Sequence, residues 1–197
     1  MVGVFEALPV HPDWDRLFEM AAGQEGLFTT RQAAAAGYSP QLLRHYVQRG
    51  RIARARRGIY RLVHFPAGEH EELVTAWLWS ERTGVVSHQT ALGLHELSDL
   101  LPAQVHLTLP TAWDGRRFRV PVGLVLHYAD VPAADRSWIG AVPTTSPLRS
   151  LIDCAREGLS PELLRQAARQ LLRRGLATRR ELREVEKALE PFGGLAA

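Results

Sequence analysis

The chain has 197 residues, 46% hydrophobic and 23% charged, with a formal net charge of +3. This balance excludes long intrinsic disorder and leaves room for one large or two small domains with a real core. Cys154 is the only cysteine, which excludes an intramolecular disulfide and any multi-cysteine zinc or iron–sulfur site; the N-terminus lacks the pattern of a signal peptide, no run would span a bilayer, and a cytoplasmic location is expected.

The first expected helix opens after Pro12-Asp13, where Trp14, Leu17, Phe18 and Ala21 recur at helical spacing. Thr29 or Thr30 can then accept hydrogen bonds from the free amides of a short alanine-rich helix that Gly37 ends. Ser39 restarts the chain as an N-cap, with Pro40 at the first helical position, where its missing N–H costs nothing. Along this next helix Leu42, Leu43, Tyr46 and Val47 form the apolar stripe, and the opposite face carries Gln41, Arg44, His45 and Gln48. Arginine forks onto guanine O6 and N7 and glutamine onto adenine N6 and N7, so this face suits base reading, although an ordinary solvated face has the same polarity.

Arg49, Arg51, Arg54, Arg56, Arg57 and Arg61 follow, and no acidic residue stands between positions 44 and 61. Like charges crowded on one small surface repel, whereas DNA phosphates compensate them and release counterions. Arg56-Arg57-Gly58 reads as a wing tip, followed by a strand with Tyr60 and Leu62 on one face and Ile59 on the other. Helix, tight turn, helix and basic hairpin in that order read as a winged helix-turn-helix, and make double-stranded DNA the expected partner. The candidate DNA-contacting residues are Thr30, Arg31, Ser39, Gln41, Arg44, His45, Gln48, Arg49, Arg51, Arg54, Arg56 and Arg57.

Phe65-Pro66-Ala67-Gly68 interrupts the pattern and reads as a junction, dividing the chain into a DNA-binding domain at 1–66 and a second domain at 67–197. Leu73, Val74, Trp77 and Leu78 mark a helix from Glu69 to Arg82, and another from Gln89 to Leu97 is capped by Ser87. Strand-like runs follow at Val105 to Leu109, Phe118 to Val120 and Leu124 to Tyr128; the first alternates as a half-buried strand does, between Pro102 and Pro110. Ser146-Pro147 and Ser160-Pro161 repeat the cap-plus-proline device, the first opening a helix through Ala155. Thr178 with Glu181 makes a capping box for the last helix, before a tail from Pro191 to Ala197. An arginine-rich stretch runs from Arg165 to Arg183. The fold class is therefore α+β: a winged helix-turn-helix, then a mixed α/β domain with a small sheet and C-terminal helices.

His88, His95, His106 and His127 raise the question of a metal. His88 and His95 lie seven residues apart on an expected helix, too far for one ion, and no acidic or cysteine ligand set completes them, so these are read as structural or capping histidines. Ser87-His88 sits in no recognisable nucleophile elbow. A restriction-like nuclease needs a lysine beside a carboxylate at its sheet, and the sole lysine, Lys187, lies in the C-terminal helix with Glu184 and Glu186. Asp130 and Asp135 read as turn residues. The loop Thr144-Thr145-Ser146-Pro147-Leu148-Arg149 gathers hydroxyls, helix amides and an arginine that suit a phosphate. A cap at Ser146 and an i,i+4 pair from Arg149 to Asp153 account for the same residues without a ligand. No catalytic residue, metal or cofactor is expected.

Four blocks in order resemble the AbiEi antitoxin family: Gly26 to Tyr60; Ser87-His88-Gln89-Thr90-Ala91-Leu92-Gly93-Leu94-His95; Val105 to Pro110; and Val142-Pro143-Thr144-Thr145-Ser146-Pro147-Leu148-Arg149-Ser150-Leu151-Ile152-Asp153. The resemblance runs from about residue 13 to 190, and the four together are more specific than any one alone. It implies a non-enzymatic antitoxin of a type IV toxin–antitoxin system, whose winged helix represses its own operon at inverted repeats. The second domain would counteract a nucleotidyltransferase-type toxin encoded beside it, without a stable complex. Two other readings stay open: a stand-alone winged-helix transcriptional regulator, and an interaction module whose basic wing serves RNA, which a preference for single strands or structured RNA would mark.

Overall fold

A computed structural model describes residues 11–99 and 102–195. The first ten residues, over which the absence of a signal peptide was read, and the last two of the expected C-terminal tail lie outside them. The chain forms two compact units, Met1–Arg82 and Thr83–Ala197. Among the described residues no helix is long and apolar enough to cross a membrane.

The first unit runs α1 (Trp14–Ala22), β1 (Leu27–Thr29), α2 (Thr30–Ala35), α3 (Pro40–Gln48), β2 (Ile52–Arg56), β3 (Ile59–Leu62) and α4 (Glu71–Trp79). Local chemistry sets each helix start. Asp13 caps α1 by accepting from Arg16 N at 2.9 Å. At α2 Thr29 Oγ1 accepts from Gln32 N at 3.1 Å while Gln32 Oε1 accepts from Thr29 N at 2.8 Å, a reciprocal capping box. Ser39 caps α3 with Pro40 at its first position, and Gly37 between α2 and α3 takes φ 82°, a left-handed turn open to glycine.

The three strands order as β1-β3-β2, all antiparallel. Phe28 opposes Tyr60, and their rings stack with centroids 5.9 Å apart. That face joins Leu17, Ala21, Ala33, Leu43, Ile52 and Leu62 in one core. Strand alternation turns Leu27, Ile59 and Arg61 to the other face, yet Leu27 and Ile59 are only 1% and 2% exposed. The cover is α4, which packs on β1 and β3. Glu71 of α4 accepts from Arg61 Nε at 2.9 Å.

The unit thus ends at Arg82, beyond the junction read at 65–68, and the helix assigned to the second domain packs on the winged sheet. The stretch 65–68 is itself held down. A Cβ at Gly26, which takes φ +80°, would lie 2.7 Å from the Phe65 ring, and a Cβ at Gly68 would lie 2.1 Å from Glu25 Oε2. Glu25 also accepts from His70 N at 3.0 Å. Proline and glycine mark a close approach here, which looks the same as a linker in sequence.

The second unit runs β4 (Val85–Val86), α5 (His88–Leu94), β5 (Val105–Leu109), β6 (Leu124–Tyr128), β7 (Arg136–Ile139), β8 (Val142–Thr145), α6 (Pro147–Arg156), α7 (Pro161–Arg173) and α8 (Arg183–Leu189). Its sheet orders β6-β5-β4-β8-β7; β5 pairs parallel with β6, β4 parallel with β8, and the other two pairs are antiparallel. Leu92, Leu151, Leu164, Leu171, Leu182, Val185 and Leu189 of α5 to α8 and their connections form its main core.

Several local expectations change. Phe118 to Val120 is not a strand; Phe118 instead meets the Trp113 ring edge-on at 5.6 Å, and Arg116 lies over that ring at 4.9 Å. Ser87 precedes α5 but its hydroxyl makes no cap bond. Thr178 and Glu181 are bonded to each other, with Thr178 N donating to Glu181 Oε2 at 2.8 Å, but α8 begins only at Arg183, so they close a turn and do not open the helix. Thr144 and Thr145, the start of the expected loop 144–149, belong instead to the fully buried strand β8.

Candidate functional site

The helix α3 presents Gln41, Arg44, His45 and Gln48 on its exposed side, with Leu43 buried and Leu42, Tyr46 and Val47 packed against the core. Arg31 of α2 and Arg49, which ends α3, are exposed. Arg51 places its guanidinium 5.9 Å from the Tyr46 ring centroid. In the wing, Arg54 and Arg57 are exposed and Arg56 is half-buried, and a bulge between Arg54 and Arg56 shifts the register, which re-aims the side chains beyond it.

Two candidate residues already have a local task. Ser39 Oγ accepts from Leu42 N at 3.2 Å as the cap of α3. Thr30 donates to the Gly58 carbonyl from both its amide, at 2.9 Å, and its hydroxyl, at 3.2 Å, which pins the wing turn to the start of α2. Among the described residues no carboxylate pairs with Arg31, Arg44, Arg49, Arg51, Arg54, Arg56 or Arg57. Arg61 differs: Glu71 and the Phe65 carbonyl take its guanidinium.

In the second unit most of the stretch 144–149 is engaged within the fold, although the buried Thr144 hydroxyl has no hydrogen-bond partner among the described residues. Ser146 Oγ accepts from Arg149 N at 3.3 Å, and Ser150 and Thr145 hydroxyls lie 2.7 Å apart. Arg149 Nε donates to both oxygens of Asp153 at 2.9 Å, and its Nη1 to Asp135 at 2.9 Å. The cap and the i,i+4 pair account for Ser146 and Arg149 without a phosphate. Asp130 accepts from the Thr111 amide and hydroxyl, as a turn residue does.

The histidines depart from their reading. His95 stands alone, its Nε2 2.8 Å from the Thr145 carbonyl. His88 at the start of α5, His106 on β5 and His127 on β6 converge with Glu157, which ends α6, and one ligating atom of each lies within 4.8 Å of the others. His106 Nδ1 is 3.0 Å from His127 Nε2, His127 Nδ1 is 2.8 Å from Glu157 Oε1, and the His88 and His127 rings stack at 3.6 Å. An acidic donor and three imidazoles therefore do assemble. The reading that no ligand set completes the histidines held only for neighbours in sequence.

Burial, and then the proximity of His127 and His106, lower the His88 pKa to about 3. Burial likewise lowers His106 and His127 and raises Glu157. Burial thus works against charge on both partners of the close His127–Glu157 contact. The signal in the sequence was the alternation of β5: His106 and Thr108 are the polar positions of a half-buried strand, yet both are buried and bonded inward.

Residues 15–63 match the family model of the transcriptional regulator AbiEi antitoxin. The match spans α1 to β3, the helices and strands of the winged part of the first unit. The RV2827C protein from Mycobacterium tuberculosis is similar in its crystal structure, at 14% sequence identity and a TM-score of 0.48 over 92% of this chain and 78% of that one. No curated protein matches the sequence.

Proposed function

We propose that this chain is a non-enzymatic AbiEi-type antitoxin that lays α3 in the major groove of operator DNA, represses its own operon at inverted repeats, and counteracts a nucleotidyltransferase-type toxin through its second unit. Gln41, Arg44 and His45, near the start of α3, read base edges; Gln48, Arg49 and Arg51 follow toward the backbone. Arg54, Arg56 and Arg57 of the wing and Arg31 of α2 hold phosphates, and Thr30 fixes the wing that carries them. Ser39 keeps a hydroxyl proton for a phosphate while its oxygen caps the helix.

The observation that carries this reading is a set of wing and helix arginines without carboxylate partners among the described residues, on the segment that matches the regulator family model. A stable fold has no use for unpaired like charges, and a polyanion does. Titration of the full chain against a duplex with the inverted repeat upstream of its gene, beside a scrambled duplex and a structured RNA, tests it. Tighter binding to the repeat is expected. Preference for the RNA would favour the interaction-module reading, and repression without rescue from the neighbouring toxin in co-expression would leave a stand-alone regulator.

A further inference from the structure

We propose that His88, His106, His127 and Glu157 of the second unit bind one divalent transition-metal ion of the zinc class. The proposal is independent of the DNA-binding reading. Its first support is convergence: the donors come from α5, β5, β6 and the end of α6, and their ligating atoms lie within 4.8 Å of one another. Three imidazoles and one carboxylate are the nitrogen and oxygen donors that zinc accepts in a four-coordinate site.

The spacing is close to what an ion requires. Two nitrogens on one tetrahedral zinc sit about 3.4 Å apart, given bonds of about 2.0–2.1 Å. His106 Nδ1 and His127 Nε2, now at 3.0 Å, need to part by only a few tenths of an ångström, replacing one hydrogen bond with two bonds to the ion. Glu157 Oε1 lies 3.9 Å from His88 Nε2 but 2.8 Å from His127 Nδ1, so it must leave that edge of the ring to close on the ion; its side chain, 39% exposed, gives the freedom to do so and a route of entry.

Supporting contacts orient the imidazoles as zinc ligands are usually oriented. His88 Nδ1 lies 2.9 Å from Ser87 Oγ, which leaves Nε2 for the metal, and Thr108 Oγ1 donates to the same Ser87 oxygen at 2.7 Å. Thr90 Oγ1 accepts from His106 N at 2.9 Å and holds that strand in place. The Ser87 hydroxyl is thereby engaged with the cluster instead of capping α5. His88 adopts φ 51°, a left-handed conformation costly to a side chain of its size, and it is in that conformation that its ring stacks on His127. Bound metal would cross-link β5, β6, α5 and α6.

The test uses the untagged full chain, stripped with a chelator, then titrated with Zn²⁺ by calorimetry and with Co²⁺ by visible absorption. One equivalent of zinc, the intense bands of four-coordinate cobalt and a raised Tm are expected. His127→Ala and Glu157→Gln should each weaken zinc binding by at least about 10–100-fold, the effect of losing even an outer-shell partner. His95→Gln, outside the cluster, should leave it unchanged. Glu157→Gln alters an exposed side chain and serves if the alanine variant does not fold. Absence of stoichiometric zinc and of the cobalt bands in the wild-type chain would overturn the proposal and leave a hydrogen-bonded Glu157–His127–His106 relay. Binding that survives Glu157→Gln and His127→Ala would overturn it too.

Discussion

The two units spend their polar residues in opposite directions. In the first, α3 and the wing keep Gln41, Arg44, His45, Gln48, Arg54 and Arg57 exposed, with none of the arginines paired to a carboxylate among the described residues. In the second, Ser87, His88, His106, Thr108, Thr145, Ser150 and Asp153 are buried, and each bonds to a partner within the unit. Unpaired charge in water costs the fold little and is available to a partner, whereas a buried polar group is tolerated only when something inside satisfies it. Similar polarity in the two halves of the sequence therefore points outward in one case and inward in the other.

The largest expected break in this contrast comes from the winged unit's own core. A fragment ending at residue 66 loses α4 and uncovers Leu27 and Ile59, about 1.5–3 kcal/mol for each side chain, against a total stability of about 5–15 kcal/mol for a domain. Such a fragment should melt well below one ending at Arg82 and bind duplex DNA poorly. Thermal denaturation of the two side by side checks this, and equal Tm values would return the boundary to 66.

Next in size is Arg44→Ala, expected to cost about 1–3 kcal/mol on the operator and much less on random duplex if the guanidinium forks onto a guanine. Equal losses on both duplexes would make Arg44 a phosphate contact. Replacing Arg56 and Arg57 together should weaken binding to every duplex and reduce the log–log salt slope by about two, one for each lost phosphate contact, with an unchanged circular dichroism spectrum. A slope that does not move would take the wing tip out of the interface.

Smaller still is Thr30→Val, which removes the hydroxyl bond to Gly58 but keeps the amide bond. About 0.5–1.5 kcal/mol of stability should be lost, with duplex binding weakened through the wing and base preference retained. The inward half has its own minor test at Cys154, where burial pushes the thiol well above its ordinary range. Iodoacetamide at mildly alkaline pH should leave the native protein unlabelled and modify it only after denaturant is added. Labelling of the native chain would show that α6 opens readily.

What the sequence determined by itself is the set of features closed within a few residues. Ser39 with Leu42, Ser146 with Arg149 and Arg149 with Asp153 are each three or four apart, so residue type and spacing placed them, while the cap of α2 was narrowed to Thr29 or Thr30 and the structure chose Thr29. The apolar stripe of α3 and its polar outer face follow from the same short period, and the residues proposed to read DNA were legible for that reason.

Only the tertiary structure decided the rest. The strands β1 and β4 have three and two residues and no period of their own; they exist because β3, β5 and β8 lie beside them. Arg61, one more arginine in a basic run, is claimed by Glu71 ten residues on, once α4 folds over the sheet. His106 and His127 are 21 residues apart, and parallel pairing of β5 with β6 is what brings their rings to 5.2 Å. Loop closure between distant residues leaves no mark in local spacing, because its cost is met by burial and pairing summed over the whole unit and not by the two residues that meet.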